Sequence, residues 1–280
     1  MDRRQFLVAG GVAALGTALS AGSAQGADPS AAVTTAGLLI DTTRCAGCRS
    51  CVEACMERNA IPAPAKVNGQ PDPETDFRFV KLQRATVDGE KISVRRQCMH
   101  CVEPACTSAC LTKALYKTDE GPVIWRGEKC MGCRYCMLSC PFDVPKFEYH
   151  SANPRVLKCR MCWELIREGK KPACVEACPE EAAVFGRRDQ LLQEARRRIH
   201  SEPARYVDHV YGEHEAGGTG VLYLAGAAFE KLGFRADLDR RAYPELTREF
   251  LYGVPFILGV IPPLLLGISR AADRSKEEQS

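Results

Sequence analysis

The alternation of hydrophobic and polar residues predicts short strands in the first half of the chain. Segments Phe77–Ala85 and Lys91–Gln97 alternate in character on either side of Asp88-Gly89, a pattern typical of a β-hairpin. Gly37–Thr42 and Pro122–Trp125 are two further strand-like runs, and each of them precedes a cysteine-rich loop. We therefore expect small β elements between the loops that carry the cysteines.

Segment Gln190–His200 has the period of an amphipathic helix instead. Its arginine run, Arg196–Arg198, falls mostly outside the apolar face, which favours a solvated surface over a binding site. We expect the segment 187–249 as a whole to be a helical and extended tail. The apolar positions that share one face of this helix are Leu191, Leu192, Ala195 and Ile199.

A long apolar run lies near the C-terminus. Phe250–Ile268 has nineteen uncharged residues, enough for one helix across a bilayer. Three prolines interrupt it, and neighbouring membrane helices can satisfy the carbonyls that they free. The basic residues that follow, beginning with Arg270, favour a cytoplasmic C-terminus. We expect a transmembrane helix over 250–269 and a cytoplasmic tail over 270–280. The alternative is an apolar tail packed against the globular domain.

The cysteines carry the chemistry of the chain. All sixteen fall into four groups of four, and each group has the spacing of an iron–sulfur ligand set. We expect four [4Fe–4S] clusters and a short helix after each cysteine triplet. The groups are Cys45-x2-Cys48-x2-Cys51-x3-Cys55, Cys98-x2-Cys101-x4-Cys106-x3-Cys110, Cys130-x2-Cys133-x2-Cys136-x3-Cys140 and Cys159-x2-Cys162-x11-Cys174-x3-Cys178.

Disulfides and zinc sites are the competing interpretations of these cysteines. Thiols crowded onto one tight loop have poor geometry for disulfide pairing. Structural zinc sites use two separated Cys-x2-Cys pairs rather than a triplet with a lone fourth residue. The triplet followed by a fourth cysteine and proline, as at Cys140-Pro141, is the run found in bacterial ferredoxins.

The repetition of the cysteine runs predicts the fold class. In two-cluster ferredoxins a run gives three cysteines to one cluster and its fourth to the neighbouring cluster. The second and third runs are close in sequence and form one such unit, over 97–146. The first and fourth runs then pair around it. We expect an α+β domain over 37–186, built from two interleaved ferredoxin-like units of two clusters each.

The N-terminal 27 residues have the features of an export signal. Arg3-Arg4 begins a twin-arginine core, a weakly apolar stretch follows, and the small residues Ser20–Ala27 offer a cleavage site near Ala24. The twin-arginine (Tat) route carries folded proteins, which suits clusters that are inserted before export. An uncleaved N-terminal anchor is the alternative. Together the two ends predict a protein on the periplasmic face of the inner membrane.

The charge balance excludes one class of partner. A formal net charge of +3 gives no footprint for nucleic acid. Each cluster with its four thiolates is an anion, so many lysines and arginines serve to balance the metal centres. The expected chemistry is electron transfer, which needs no acid, base or nucleophile from this chain. We therefore expect a non-catalytic subunit of an oxidoreductase.

These residues resemble the four-cluster iron–sulfur subunits of molybdopterin oxidoreductases and membrane hydrogenases. The order of the cysteine runs is the same, and the likeness covers nearly the whole chain. Beyond the cysteines, Tyr211-Gly212-Glu213 and Val221–Leu224 resemble the tail of the membrane-anchored members. The matching strings around the cysteines are Gln97-Cys98-Met99-His100-Cys101, Cys130–Met137, Cys140–Lys146 and Cys174–Pro179.

The resemblance implies a ligation pattern in which each triplet takes its fourth ligand from another run. His100, between two ligands, then has a role in packing or around the cluster. Prolines that usually follow the fourth cysteine are absent after Cys55 and Cys110. The implied ligand sets are Cys45, Cys48, Cys51 and Cys178; Cys55, Cys159, Cys162 and Cys174; Cys98, Cys101, Cys106 and Cys140; and Cys110, Cys130, Cys133 and Cys136.

A twin-arginine signal with a C-terminal span is most similar to the HybA-type subunit of uptake [NiFe] hydrogenases. This resemblance implies a relay from a periplasmic catalytic subunit to a membrane quinone-reactive subunit. The beta subunit of a formate dehydrogenase, or of another molybdopterin oxidoreductase, is the alternative. A free-standing ferredoxin-like carrier is a further one, although a diffusible carrier has no use for an anchor.

Overall fold

The computed structural model describes residues 35–72, 76–149, 151 and 154–277. The predicted signal, 1–27, lies outside the described residues. The described chain mixes small sheets with helices. The strands are β1 (Ala36–Asp41), β2 (Lys66–Val67), β3 (Gln70–Pro71), β4 (Lys81–Val87), β5 (Glu90–Arg96), β6 (Leu115–Lys117), β7 (Val123–Trp125), β8 (Lys146–Phe147), β9 (Val156–Leu157), β10 (Ala183–Arg187) and β11 (Val221–Leu224).

Most of the helices are short and follow cysteine loops. The second to fifth are only one or two turns long, so packing rather than length must hold them. Two 3₁₀ turns cover Gly127–Lys129 and Glu215–Gly217. The α-helices are α1 (Ser50–Arg58), α2 (Ala105–Ser108), α3 (Tyr135–Leu138), α4 (Trp163–Arg167), α5 (Ala173–Glu176), α6 (Arg188–Ser201) and α7 (Tyr243–Glu277).

A three-stranded sheet joins distant parts of the chain in the order β10-β1-β11. Strand β1 is antiparallel to β10, with Leu38 opposite Phe185. It is parallel to β11, with Leu38 opposite Val221. The central strand is apolar and buried on both faces, as expected where helices and loops cover both sides of a sheet. The tail segment thereby packs directly beside the strand that leads into the first cysteine loop.

The predicted strands are present, with shorter limits. The hairpin turns at Asp88 (φ 53°) and Gly89 (φ 88°), the left-handed pair that a two-residue turn requires. Its first strand, β4, begins at Lys81 rather than at Phe77. Strands β6 and β7 form a second hairpin between the second and third cysteine groups.

Helix α6 covers one face of the three-stranded sheet. Leu191, Ala195 and Ile199 are buried against Leu39 and other apolar residues of β1 and β11. The expectation that the arginines of this helix are mostly outside holds for Arg196 and Arg197. It is wrong for Arg198, which is 8% exposed. The sequence period places Arg198 at the edge of the apolar face, where a buried carboxylate receives it.

The C-terminal helix α7 extends beyond the predicted span in both directions. Within it, Tyr243–Arg270 is long and apolar enough to cross a membrane, with a mean hydropathy of 2.0. No residue of its most apolar window is buried, which contradicts the alternative of a tail packed against the globular domain. Large apolar side chains such as Phe250 and Phe256 are about seven-tenths exposed to solvent. Such a surface requires an apolar environment.

Candidate functional site

The first and third cysteine groups are built on the same backbone conformation. In each, a glycine with positive φ precedes the second cysteine: Gly47 (72°) and Gly132 (73°). A left-handed arginine follows that cysteine, Arg49 (70°) or Arg134 (61°), and a helix begins at the next residue. At Gly47 a Cβ would lie 2.4 Å from Ser93 Oγ, so a side chain does not fit there. The repeated turns direct successive thiols to one side of the loop.

The first cysteine quartet surrounds one cavity. Burial raises the pKa of Cys45, and the Cys178 and Cys48 thiolates raise it further. The pKa of Cys48 is lowered, mainly by its hydrogen bond with the Ser50 hydroxyl. The cysteines that line this cavity are Cys45, Cys48, Cys51 and Cys178.

A second cavity is lined by cysteines of the second and third runs. Burial raises the pKa of Cys136 to about 11, with further increases from Cys110, Cys130 and Cys133. The Cys110 pKa is lowered instead, because hydrogen bonds from the Leu115 N–H and the Thr112 hydroxyl outweigh its burial. The cysteines that line this cavity are Cys110, Cys130, Cys133 and Cys136.

The other eight thiols form two buried quartets. The pKa of Cys55 is raised to about 12 by burial and then by Cys174 and Cys162. Cys159 is raised well above its ordinary pKa by burial and then by Cys55 and Cys174. The structure therefore brings together Cys55, Cys159, Cys162 and Cys174.

The fourth group centres on Cys101. Burial raises its pKa far above the ordinary value, and the three other thiolates raise it further. Burial also raises the pKa of Cys106 to about 12, again with contributions from thiolates of the same group. This quartet consists of Cys98, Cys101, Cys106 and Cys140. In all four cases the structure brings together the thiols that the family resemblance groups; ligation itself stays a prediction.

The donor geometry fits a cluster better than a single ion. None of the sixteen cysteines forms a disulfide. Within the described residues, no three side chains of His, Cys, Asp or Glu converge closely enough to hold one metal ion. A tetrahedral zinc site needs its sulfurs about 2.3 Å from one centre. Four thiols spread around a cavity, each costly to ionise in the protein alone, match the ligand set of a [4Fe–4S] cluster.

Contacts between quartets give them a linear order. The thiolate of Cys174, in the second set, adds to the effect of burial on the pKa of Cys51 in the first. Cys98 of the third set acts in the same way on Cys159 of the second. Cys136 of the fourth set acts likewise on Cys106 of the third. The four sites therefore form a row of nearest neighbours.

The two ends of the row reach the surface. Cys48 at one end and Cys133 at the other are exposed, whereas neither inner quartet has an exposed cysteine. Around the Cys133 end, large apolar side chains are also exposed, with Leu111 at 85% and Leu138 at 83%. Exposed apolar groups that border a site are typical of a surface that meets another protein.

Two buried cations next to the quartets were not singled out from the sequence. Arg95 is 3% exposed and its Nη2 donates to Cys174 Sγ at 2.8 Å. Lys158 is also 3% exposed, and its Nζ donates to the Val123 and Cys159 carbonyls at 2.5 and 2.8 Å. Arg95 follows the buried Val94 on β5, so alternation alone does not predict its burial. Only the general expectation that basic residues balance the metal centres points to them.

His100 has a packing role in the structure. Its Nδ1 accepts a hydrogen bond from the Val123 N–H at 2.9 Å, which ties the second cysteine loop to β7. Burial, with Lys158 and Lys117 nearby, lowers its pKa well below the ordinary value. The neutral ring therefore suits this position.

Comparison with known proteins identifies the family. The model of the 4Fe-4S dicluster domain matches residues 90–188, which contain twelve of the sixteen cysteines. A protein of Nitratidesulfovibrio vulgaris is 44% identical over 99% of this chain and 78% of its own length. The Hydrogenase-2 operon protein HybA of Escherichia coli O157:H7 is 32% identical over 96% of this chain and 95% of its own length. The chain belongs to the HybA family.

The HybA-family chain is also homologous to subunits of other oxidoreductases. The iron–sulfur subunit of the nitrate-inducible formate dehydrogenase of Escherichia coli K12 is 34% identical over 66% of each chain. The dicluster domain and the sixteen cysteines together indicate iron–sulfur clusters. The homologues are electron-transfer subunits of multi-subunit complexes, which points to catalytic partners for this family member.

Proposed function

We propose that this protein is an electron-transfer subunit that relays electrons through four [4Fe–4S] clusters. When bound, such clusters exchange single electrons without proton chemistry from the protein. The proposed ligand sets are the four cysteine quartets described above. In this proposal the cluster-binding part spans 37–186, and the unit 97–146 is inserted between the first and fourth cysteine runs.

The observation that carries the proposal is the row of four quartets with two exposed ends. A storage or purely structural role needs neither contiguity nor exposed ends. A relay needs both, because electrons must enter at one protein surface and leave at another. The chain's own residues bury the inner quartets, exclude water from them and supply hydrogen bonds to their sulfurs, which are the features that tune cluster potentials.

The proposed location is the periplasmic face of the bacterial inner membrane. The apolar segment within α7 supports a single C-terminal span. The twin-arginine sequence at Arg3-Arg4 supports export by the Tat route, and the basic residues after the span support a cytoplasmic C-terminus. The segment 187–249 connects the cluster-binding part to the span.

The proposed partners are a periplasmic catalytic subunit, most consistent with an uptake hydrogenase, and a membrane quinone-reactive subunit. The full-length match to a hydrogenase-2 operon protein favours hydrogenase. The alternative is the beta subunit of a formate dehydrogenase or of another molybdopterin oxidoreductase, which the match over two thirds of the chain supports. In either case the chain itself is non-catalytic.

Purification from membranes tests this assignment. The tagged full-length protein should be extracted by detergent together with a large catalytic subunit, and nickel in that subunit would identify a hydrogenase. Molybdenum or tungsten would instead favour the alternative. A protein that leaves the membrane alone, with full iron content and no partner, would contradict the role as a relay subunit.

A further inference from the structure

Arg95 lies between two of the cysteine quartets. It belongs to β5, and its backbone carbonyl accepts a hydrogen bond from the buried Tyr223 hydroxyl at 3.0 Å, which fixes the strand at this point. Its Nη2 donates to Cys174 Sγ at 2.8 Å. Its Nε and Nη1 are buried and have no hydrogen-bond partner in the protein. The guanidinium therefore has donors left over in a site that excludes water.

The charge of Arg95 has no carboxylate to balance it. Among the described residues, no Asp or Glu lies within ion-pair distance of its guanidinium. Burial alone would lower its pKa, but the thiolates of Cys174 and Cys51 outweigh burial and raise it. An unpaired buried cation is strongly unfavourable. Sulfur anions are therefore the counter-charge for which this position is built.

The influence of Arg95 reaches both quartets. It opposes the burial that raises the pKa of Cys45 and Cys51 in the first set, and of Cys55 in the second. Neither of the other two quartets has Arg95 among the groups that act on its thiols. Its effect is therefore confined to one half of the row.

We propose that Arg95 is a positioning residue that raises the reduction potentials of two clusters, those held by the Cys45 quartet and by the Cys159 quartet. Reduction adds one electron to an anionic centre, and a fixed buried cation stabilises the more negative state. The hydrogen bond to Cys174 Sγ adds to this effect in the second set. Arg95 keeps its proton throughout, so no proton accompanies the electron. This inference rests on the proposed ligation of clusters by the quartets.

The test is a redox titration of the full-length protein in detergent, followed by paramagnetic resonance, with iron content measured in parallel. In Arg95→Gln, we expect the ratio of reduced to oxidised cluster at a fixed potential to fall about tenfold for two of the four centres. For a one-electron couple this equals about 59 mV. In Arg95→Lys, which keeps the charge but not the fork of donors, only the centre that includes Cys174 should shift.

Arg96→Gln is the matched control. Arg96 is the next residue of β5, but it donates to the Leu232 carbonyl and to Gln83 and lies over the Phe234 ring. All four potentials should stay at the wild-type values in this variant. If Arg95→Gln were to lose iron, Arg95→Lys would decide. A fully loaded Arg95 variant with four unchanged potentials, or with all four shifted equally, would overturn the inference. Wild-type protein without clusters would instead refute the proposed function.

Discussion

The carboxylate of Asp41, at the end of β1, forms a buried ion pair with Arg198 of helix α6, with 3.2 Å between Oδ2 and Nη1. The Tyr206 hydroxyl donates to the same oxygen at 2.8 Å. Asp41 has no exposed surface and lies four residues before the first cysteine. The tail of the protein thus holds the strand that leads into the first cysteine loop.

Replacing Arg198 should destabilise the protein strongly. Arg198→Met leaves the Asp41 charge buried without its cation, a change that costs about 3–5 kcal/mol. The measurement is the urea concentration at which visible cluster absorbance and tertiary structure are lost. Arg197→Met is the control, because Arg197 is exposed and pairs only with Glu194. It should change stability by less than about 1 kcal/mol. Equal effects of the two substitutions would show that the buried pair is not a structural tie.

Two cysteines four residues apart should affect different clusters. Cys174 belongs to the second quartet, whereas Cys178 lines the same cavity as Cys48. We expect Cys178→Ser and Cys48→Ser to alter one and the same paramagnetic signal, and Cys174→Ser to alter another. Spectra of the three reduced variants provide the measurement. The cross-ligation is wrong if the Cys174 and Cys178 variants lose a common signal that the Cys48 variant retains.

The C-terminal span should be the part that holds the isolated protein in the membrane. Deletion of residues 250–280, in a chain expressed without partner subunits, should move the protein from the membrane fraction to the soluble fraction with its clusters intact. Deletion of 272–280 alone keeps the apolar segment and serves as the control. Fractionation after a salt wash gives the answer. Retention of the longer deletion in the membrane would argue against this anchor.

Stability should depend on the protonation of His209. Its Nε2 lies 2.7 Å from Glu215 Oε1, and this hydrogen bond raises the pKa of His209 although burial opposes it. Glu230 and Glu213 add to the increase. A raised folded-state pKa gives stability that is complete below the unfolded value, about 6.5, and is lost as pH rises through the folded value. The unfolding free energy should therefore decrease from about pH 6.5 upward.

His209→Gln should flatten this part of the pH profile. His200→Gln is the control, because His200 is exposed near the end of helix α6. Urea unfolding at a series of pH values supplies the profile. If His209→Gln and the wild type have the same slope, the pair does not contribute.

Local patterns predicted the local elements of the fold well. The Asp88-Gly89 turn, strand β7 and helix α6 follow from alternation, turn chemistry and period, which act within a few residues. Helix α1 continues past Cys55 to Arg58, where Met56 stands in place of the proline that would have ended it. The pairing of β11 with β1 had no such signal, because a period indicates a strand but not its neighbour.

The site was predictable in its donors but not in its surroundings. Cysteine spacing alone identifies the runs, because the chemistry needs four thiolates per cluster. The burial of Arg95 and Arg198 depends on anions that distant segments bring to them, Cys174 in one case and Asp41 in the other. Charge complementarity across such sequence distances appears only after folding, so the sequence could not indicate which cations lie inside.

The most direct test of the central claim is the metal and sulfide content of the intact protein, purified without air and combined with Mössbauer spectra. If the four quartets hold cubane clusters, each chain should contain about sixteen irons and about sixteen acid-labile sulfides, all in [4Fe–4S] form. One or two zinc ions per chain, or reduced protein without an iron–sulfur signature, would contradict the account.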